Sequence, residues 1–215
     1  MKSQFIIVVP VLNEEKTLRN IILKCRNHGD LIFINDCSTD KSIEIIKKYK
    51  AKSINHKSNL GYQASILSGF LYAKKKNYKY LIFIDADEEL PIRNLKKVKK
   101  LLMDNNDIVT GIRDKKNRIL EKLFSITSFI FWNIRDPMCG MKGYNIKKIH
   151  NIKKNFTKKT FATEILFRLL KKNYSIKQIP IKVRKRKNNS KVGNGIKIQI
   201  MILKSIFLSL IIKII

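Results

Sequence analysis

Apolar residues come in short runs separated by stretches with helical spacing. The runs at 5–11 (FIIVVPV), 31–35, 52–55, 80–85 and 107–112 are rich in Ile, Val and Phe and lack polar alternation, as expected of strands buried on both faces. Between them, 14–27, 41–50, 62–76 and 92–103 carry apolar residues at helical spacing. This alternation predicts an α/β fold, a mostly parallel sheet flanked by helices. In such sheets ligands collect beyond the carboxyl ends of the strands. Polar residues fall at those ends: Asn13 and Glu14 after the first run, Asp36 after the second, Asp85 and Asp87 closing the fourth.

From about residue 117 the alternation loosens into a helix near 118–134, a turn and strand at 136–144 (DPMCGMKGY), a helix near 162–172 and a strand at 174–183. The last twenty residues are mostly apolar, interrupted by Lys197, Lys204 and Lys213. No unbroken run approaches the roughly 20 residues of a spanning helix. On a helix Ile196, Ile200, Leu203, Phe207, Leu210 and Ile214 share one face, with Lys197 and Lys204 on another. That pattern fits a helix lying in a membrane interface; a core-packing helix, a short spanning helix and a partner surface also satisfy it. The expected organisation is a domain over 1–195 and an amphipathic helix over 196–215.

A chain of 215 residues, 44% hydrophobic, can bury a sizeable core. Its three cysteines, Cys25, Cys37 and Cys139, are odd in number and widely spaced, which argues against a disulfide framework or zinc site and for a reducing compartment. The N-terminus enters the first strand without a cleavage-site pattern, so a cytoplasmic location is expected. Charge sharpens the picture: the formal net charge is +30, and no Asp or Glu follows Glu164 while 13 Lys and Arg do. Such a half suits anionic partners, whether nucleic acid, lipid headgroups or phosphorylated substrates. Heavy use of Ile, Lys and Asn throughout accounts for part of it. No aromatic-rich RNA-binding signature is present, so nucleic acid is not expected.

Against that basic background, LIFIDADEELP at 81–91 places Asp85, Asp87, Glu88 and Glu89 within five positions. A solvated helix N-terminus would explain acids there; so would a divalent cation site. Strand alternation puts Asp85 and Asp87 on one side with Ala86 facing away, leaving Glu88 as the acid expected to be solvated or to cap the next helix. Asn13 and Asp40 read as helix N-caps. Asp36 lies between its strand and the cap, and capping does not explain it.

Taken together, VVPVLNEE (8–15), INDCSTD (34–40), NLGYQAS (59–65) and IDADEELP (84–91) resemble the nucleotide-sugar half of glycosyltransferase family 2. GIR (111–113), DPMCGMKGY, TEILFRLL (163–170) and RKNNSK (186–191) bring the resemblance closest to the dolichyl- or polyprenyl-phosphate sugar synthases, over residues 5 to about 192. It implies a GT-A fold, Rossmann-like, and inverting transfer from a UDP- or GDP-sugar to a polyprenyl phosphate, at the cytoplasmic face of an anionic membrane. By the same resemblance Pro10, Leu12 and Glu14 border base and ribose, and Asp36 contacts the nucleoside. Asp85 and Asp87 match the DXD pair holding Mg²⁺ or Mn²⁺ against the diphosphate, with Glu89 near the metal. Asp87, Arg113 and Arg186 carry catalysis, and Arg113, Arg118, Ser190 and Lys191 hold the acceptor phosphate. A phosphate with a second pKa of about 6 needs little base assistance. Consistently, the sequence shows no Ser/His/Asp triad, and His28, His56 and His150 lie outside the motifs. An alternative acceptor, a saccharide hydroxyl, would require a base, with Asp136 or Glu164 as candidates. A non-catalytic basic protein on the same scaffold is the third reading. Departures from the family pattern are Asn35 for Asp, Cys37 for Gly and Asn188 for Gly, while Gly140 is kept.

Overall fold

The computed structural model describes residues 3–116, 118–149, 160–184 and 195–214. In chain order the elements are β1 (Phe5–Val11), α1 (Glu15–Cys25), β2 (Asp30–Asn35), α2 (Ser42–Lys48), β3 (Lys52–Asn55), α3 (Tyr62–Lys75), β4 (Tyr80–Phe83) and α4 (Asn94–Met103). The second half adds β5 (Ile108–Arg113), α5 (Ile119–Trp132), β6 (Lys142–Asn145), α6 (Phe161–Lys171), β7 (Ile176–Ile181) and α7 (Ile196–Ile214). Seven strands form one sheet in the order β3-β2-β1-β4-β6-β5-β7. β6 runs antiparallel to β4 and β5, and every other pairing is parallel. The mostly parallel sheet is therefore as expected.

Strand β1 shows why the apolar runs lack polar alternation. Ile7, Val9 and Val11 pack on one face with Leu18 and Ile22 of α1 and Val98 and Leu102 of α4. Ile6 and Val8 pack on the other with Ile66 and Phe70 of α3 and Ile165 and Leu166 of α6. Both faces are covered, and each such side chain taken from water contributes about 1.5–3 kcal/mol. From β1 the chain goes outward to β2 and β3, then returns to place β4 on β1's other side. The reversal leaves a crevice at the carboxyl ends of β1 and β4, the place where α/β sheets bind ligands.

A third cluster, Phe124, Phe167, Ile198, Ile202, Ile206 and Ile212, packs α7 against α5 and α6. Outward, Ile196, Ile200, Leu203, Phe207 and Ile214 are exposed. Five of the six residues read onto one face are thus outward, while Leu210 packs against the cluster and the opposite face is core. Among the described residues no helix is long and apolar enough to cross a membrane.

Candidate active site

The loops after β1 and β2 are stitched together through backbone amides. Asn13 (φ 54°) accepts at Oδ1 from the N–H of Thr39 at 2.7 Å, and its own N–H donates to Ser38 Oγ at 3.0 Å. Asp40 accepts from Ser42 N–H at 2.9 Å and from Glu15 N–H at 3.0 Å, serving the first residues of two helices. The N-cap position of α2 falls on Lys41 rather than on Asp40 as expected, so Asp40 acts on both helices from one residue before that cap. Asn13 does not take the N-cap position expected of it; Glu14 occupies that place on α1 without a side-chain cap bond. Glu14 is buried, and Pro10 and Leu12 are partly exposed beside it. Cys37 has φ 64°, so the position where the family carries glycine demands left-handed backbone here too.

Asp36 is only 3% exposed. Its Oδ1 accepts from Leu60 N–H at 2.9 Å and lies 2.7 Å from His56 Nδ1, and its Oδ2 accepts from Gly61 N–H at 2.7 Å. Gly61 has φ 88° and open space beside its Cα, so backbone conformation selects glycine there. His56 Nε2 lies 2.9 Å from Ser68 Oγ on α3. The motifs gave no reason to single out His56; only the fold, which carries β3 back alongside β2, brings it to Asp36.

β4 ends at Phe83 rather than 85, and Asp85 through Glu88 turn out of the sheet. Ala86 is buried in the core beside Ile82 and Ile84, on the side expected, although the strand has already ended. Asp85 accepts a 3.0 Å hydrogen bond from Tyr62 Oη, and Asp87 Oδ1 accepts from Glu89 N–H at 3.0 Å. Burial first, and then the charge of Asp87, push the Asp85 carboxyl up to about 6, against the pull of Tyr62, Lys142 and Arg113. Gly140 lies so close that a Cβ there would stand 1.8 Å from Asp85 Oδ2, which accounts for that glycine. Glu88 departs from expectation: it is buried, in left-handed backbone (φ 61°), and faces Lys24 of α1 at 3.6 Å. The turn that brings Asp87 round folds Glu88 down onto α1.

Two mutually repelling, desolvated carboxylates suit a hard cation. Among the described residues no three His, Cys, Asp or Glu side chains converge as a cage, so Glu89 is not drawn into a trio with Asp85 and Asp87. An ion on such a pair would complete its shell with substrate phosphate oxygens, the usual arrangement for Mg²⁺. Lys142 on β6, unremarked in the sequence, is buried, and its ammonium donates to the Cys139 carbonyl. Burial lowers its pKa, while Cys139, Asp136 and Asp85 oppose that shift. Its influence reaches Asp85, whose carboxyl it pulls downward.

Arg113, at the end of β5, is heavily engaged. Its Nε donates to Asp136 Oδ2 at 2.8 Å, and its Nη2 to Asp136 Oδ1 at 3.0 Å and Glu121 Oε2 at 3.1 Å. Asp136 and Glu121 are 1% and 2% exposed. Burial alone would raise Asp136, but the hydrogen bonds and charge of Arg113 hold it below its usual range. Arg118 stands at the N-cap of α5 and pairs with Glu121. Arg113 and Arg118 are thereby joined through Glu121, a residue the motifs did not reveal. Glu164 is buried and paired with Arg168 and Thr160. Arg186, Ser190 and Lys191 lie outside the described residues. The chain approaches them from Arg184, whose N–H donates to the Glu89 carbonyl at 2.9 Å, beside the acidic turn.

This architecture is the GT-A fold of glycosyltransferases. Glucosyl-3-phosphoglycerate synthase from Mycobacterium tuberculosis, solved with Mn²⁺, UDP and glucosyl-3-phosphoglycerate, superposes with a TM-score of 0.75 at 15% identity over 97% of this chain and 79% of that one. The chain belongs to glycosyl transferase family 2, whose sequence profile matches residues 6–193; it is a glycosyltransferase. Similar proteins include a dolichyl-phosphate hexose transferase of Haloferax volcanii, 26% identical over 86% of this chain and 85% of that one. A UDP-N-acetylglucosamine–dolichyl-phosphate N-acetylglucosaminyltransferase of Methanococcus voltae is 23% identical over 82% and 84%.

Proposed function

We propose that this glycosyltransferase moves one sugar from a nucleotide-diphosphate sugar, UDP- or GDP-linked, to a polyprenyl phosphate at the cytoplasmic face of a membrane, with inversion. An acceptor phosphate oxygen forms the new bond to the anomeric carbon, the bond from that carbon to the donor diphosphate breaks, and nucleoside diphosphate departs. Glu14, Pro10, Leu12 and Asp36 receive the nucleoside. Asp85 and Asp87 hold Mg²⁺ or Mn²⁺, which supplies Lewis-acid compensation for charge on the leaving diphosphate. Tyr62 and Gly140 fix Asp85 so that no reorganisation is needed as that charge develops. Arg113 and Arg118, held by Asp136 and Glu121, orient the acceptor phosphate, with Arg186, Ser190 and Lys191 completing the anion site.

The observation that carries the acceptor assignment is the placement of Arg118. It heads α5, whose residues Ile119, Leu123, Ile126 and Ile130 are exposed and apolar, and α5 packs on α7, which exposes an apolar stripe of its own. A phosphate at Arg118 would have an apolar track beginning at the next residue, and an exposed apolar face of this extent suits a lipid surface. At the far end of the track a cavity of about 660 Å³ opens among Phe129, Trp132, Leu170 and Lys213. The +30 charge matches anionic headgroups. A saccharide acceptor is less well served, since Asp136 is committed to Arg113 and Glu164 to Arg168, leaving its candidate bases in ion pairs.

The test supplies the full chain with radiolabelled UDP- and GDP-sugars, Mn²⁺, and either polyprenyl phosphate in detergent or free oligosaccharides. Label entering the organic phase only with lipid phosphate is expected. Label in an oligosaccharide without lipid phosphate would overturn the reading.

A further inference from the structure

We propose that His56 is a positioning residue for the donor nucleoside, fixing the Asp36 carboxylate and the 56–61 loop folded over it; this rests on reading Asp36 as a nucleoside contact. Three observations converge on the His56–Asp36 pair. His56 and Asp36 have side chains only 7% and 4% exposed, with Nδ1 and Oδ1 2.7 Å apart. Leu60 and Gly61 donate their amides to the same carboxylate, so the loop is anchored at both ends by Asp36. The other ring nitrogen reaches Ser68 on α3 at 2.9 Å.

Proton accounting makes the network directional. An ionised carboxylate only accepts, so the Nδ1 facing Asp36 carries the proton, and in the neutral ring Nε2 accepts from the Ser68 hydroxyl. One side chain thus ties the end of β2 to α3. That helix begins with Tyr62, whose hydroxyl holds Asp85. The nucleoside side and the diphosphate side of the crevice therefore share one brace. Such a brace preorganises the site, lowering the ordering cost when donor binds.

The order Asp, His, Ser is that of a hydrolytic triad, but Ser68 lies inside α3 (Tyr62–Lys75). Backbone N–H groups within a helix are spent on its own carbonyls, so no pair is available there to receive an oxyanion. The relay holds geometry rather than attacking a substrate.

The experiment compares wild type with His56→Phe, His56→Asn, Ser68→Ala and Asp36→Asn, measuring UDP and GDP binding by calorimetry with Mn²⁺, donor KM and kcat, and folding by circular dichroism. His56→Phe keeps bulk and loses both bonds; it is expected to weaken the preferred nucleotide at least tenfold and raise donor KM by a similar factor, with kcat within threefold. His56→Asn can place its amide N–H near the Nδ1 position and should recover most of the affinity. Ser68→Ala should lose about threefold. A folded His56→Phe that binds like wild type, or loses kcat at unchanged KM, overturns the proposal, and failure of His56→Asn to rescue does the same. Should His56→Phe not fold, Ser68→Ala binding like wild type overturns it. Failure of the underlying reading looks different: either wild type binds neither nucleotide, or Asp36→Asn binds like wild type.

Discussion

The two halves of the sheet solve the problem of placing charge differently. Around β1, β2 and β4 the acidic and amide side chains are held largely by backbone: Asp36 by the amides of Leu60 and Gly61, Asp40 by those of Glu15 and Ser42, Asp87 by that of Glu89. Around β5 and α5 the charges are held by one another, as in the chain Asp136–Arg113–Glu121–Arg118. Main-chain donors cannot titrate or swing away, so the carboxylates they hold keep their partners as local charge changes. Buried ion pairs are worth less to stability than their geometry suggests but are costly to break. The second half therefore depends on every member being present, and among the described residues it exposes more large apolar side chains than the first half.

The largest effect expected from this contrast is at Asp85. Asp85→Asn removes one charge of the acidic pair while keeping an oxygen for Tyr62, and should reduce transfer on the order of 10³-fold, the scale of losing a preorganised electrostatic element. Because the folded carboxyl is raised to about 6, its stabilising contribution in the metal-free protein is full below pH 4 and is lost as pH rises through 6. The variant should flatten that part of the stability profile, so that inactivation and stabilisation at pH 8 appear together. Urea unfolding from pH 4 to 8 measures it; an unaltered profile would show that Asp85 is not held under strain.

Next comes Asp136→Asn, which strikes the second half. It leaves Arg113 buried with half its partners, and a cost of about 3 kcal/mol is expected, a fall of roughly 10 °C in melting temperature for a chain of this size. Nucleotide affinity, set by the first half, should change less than threefold. A large loss of nucleotide binding without loss of stability would erase the distinction between the halves.

Legibility in the sequence does not follow that division: α5, α6 and β7 lie within two residues of their expected bounds, and the first half holds two of the residues missed or misread, His56 and Glu88. The first-half strands and helices emerge almost residue for residue, because local apolar runs encode them and loop motifs encode backbone-held side chains. Asp36 could be singled out because capping did not explain it, and Asp85 and Asp87 because the motifs around them, taken in order, resemble the family, in which they match the DXD pair. His56, Glu121 and Lys142 could not: His56 reaches Asp36 across 20 residues, Lys142 acts from β6 beside β4, and Glu121, though only three residues from Arg118, meets Arg113 only once β5 and α5 are packed. Glu88 was misjudged because alternation describes a strand, and β4 has already ended at Phe83. For α7, periodicity grouped residues of which all but Leu210 are exposed, but which face meets the protein depends on α5 and α6.

The outer apolar face gives the third test. Ile126 and Phe207 are 58% and 67% exposed, so Ile126→Asp with Phe207→Asp should change stability by no more than about 0.5 kcal/mol per site. Removing two insertable side chains, each worth about 1.5–3 kcal/mol when buried, should weaken flotation on phosphatidylglycerol vesicles at least tenfold while leaving nucleotide binding intact. Unchanged vesicle binding would mean that positive charge alone carries the attraction, and the two halves would then differ in chemistry but not in partner.

The smallest effect tests whether the first half is as relaxed as its backbone bonding suggests. Cys37 sits at φ 64°, where a side chain costs about 1–2 kcal/mol relative to right-handed backbone. Its thiol gains little in return, with the Lys57 carbonyl 4.0 Å away. Cys37→Gly releases that strain but adds freedom to the unfolded chain, worth roughly 0.4–1 kcal/mol. The net expectation is a gain of about 0.5 kcal/mol in urea unfolding, within reach of replicate measurements. Cys37→Ala keeps the Cβ and the strain, so it should show no gain. If both substitutions stabilise equally, the thiol rather than the backbone is the source, and the loop after β2 carries a packing fault instead of stored strain.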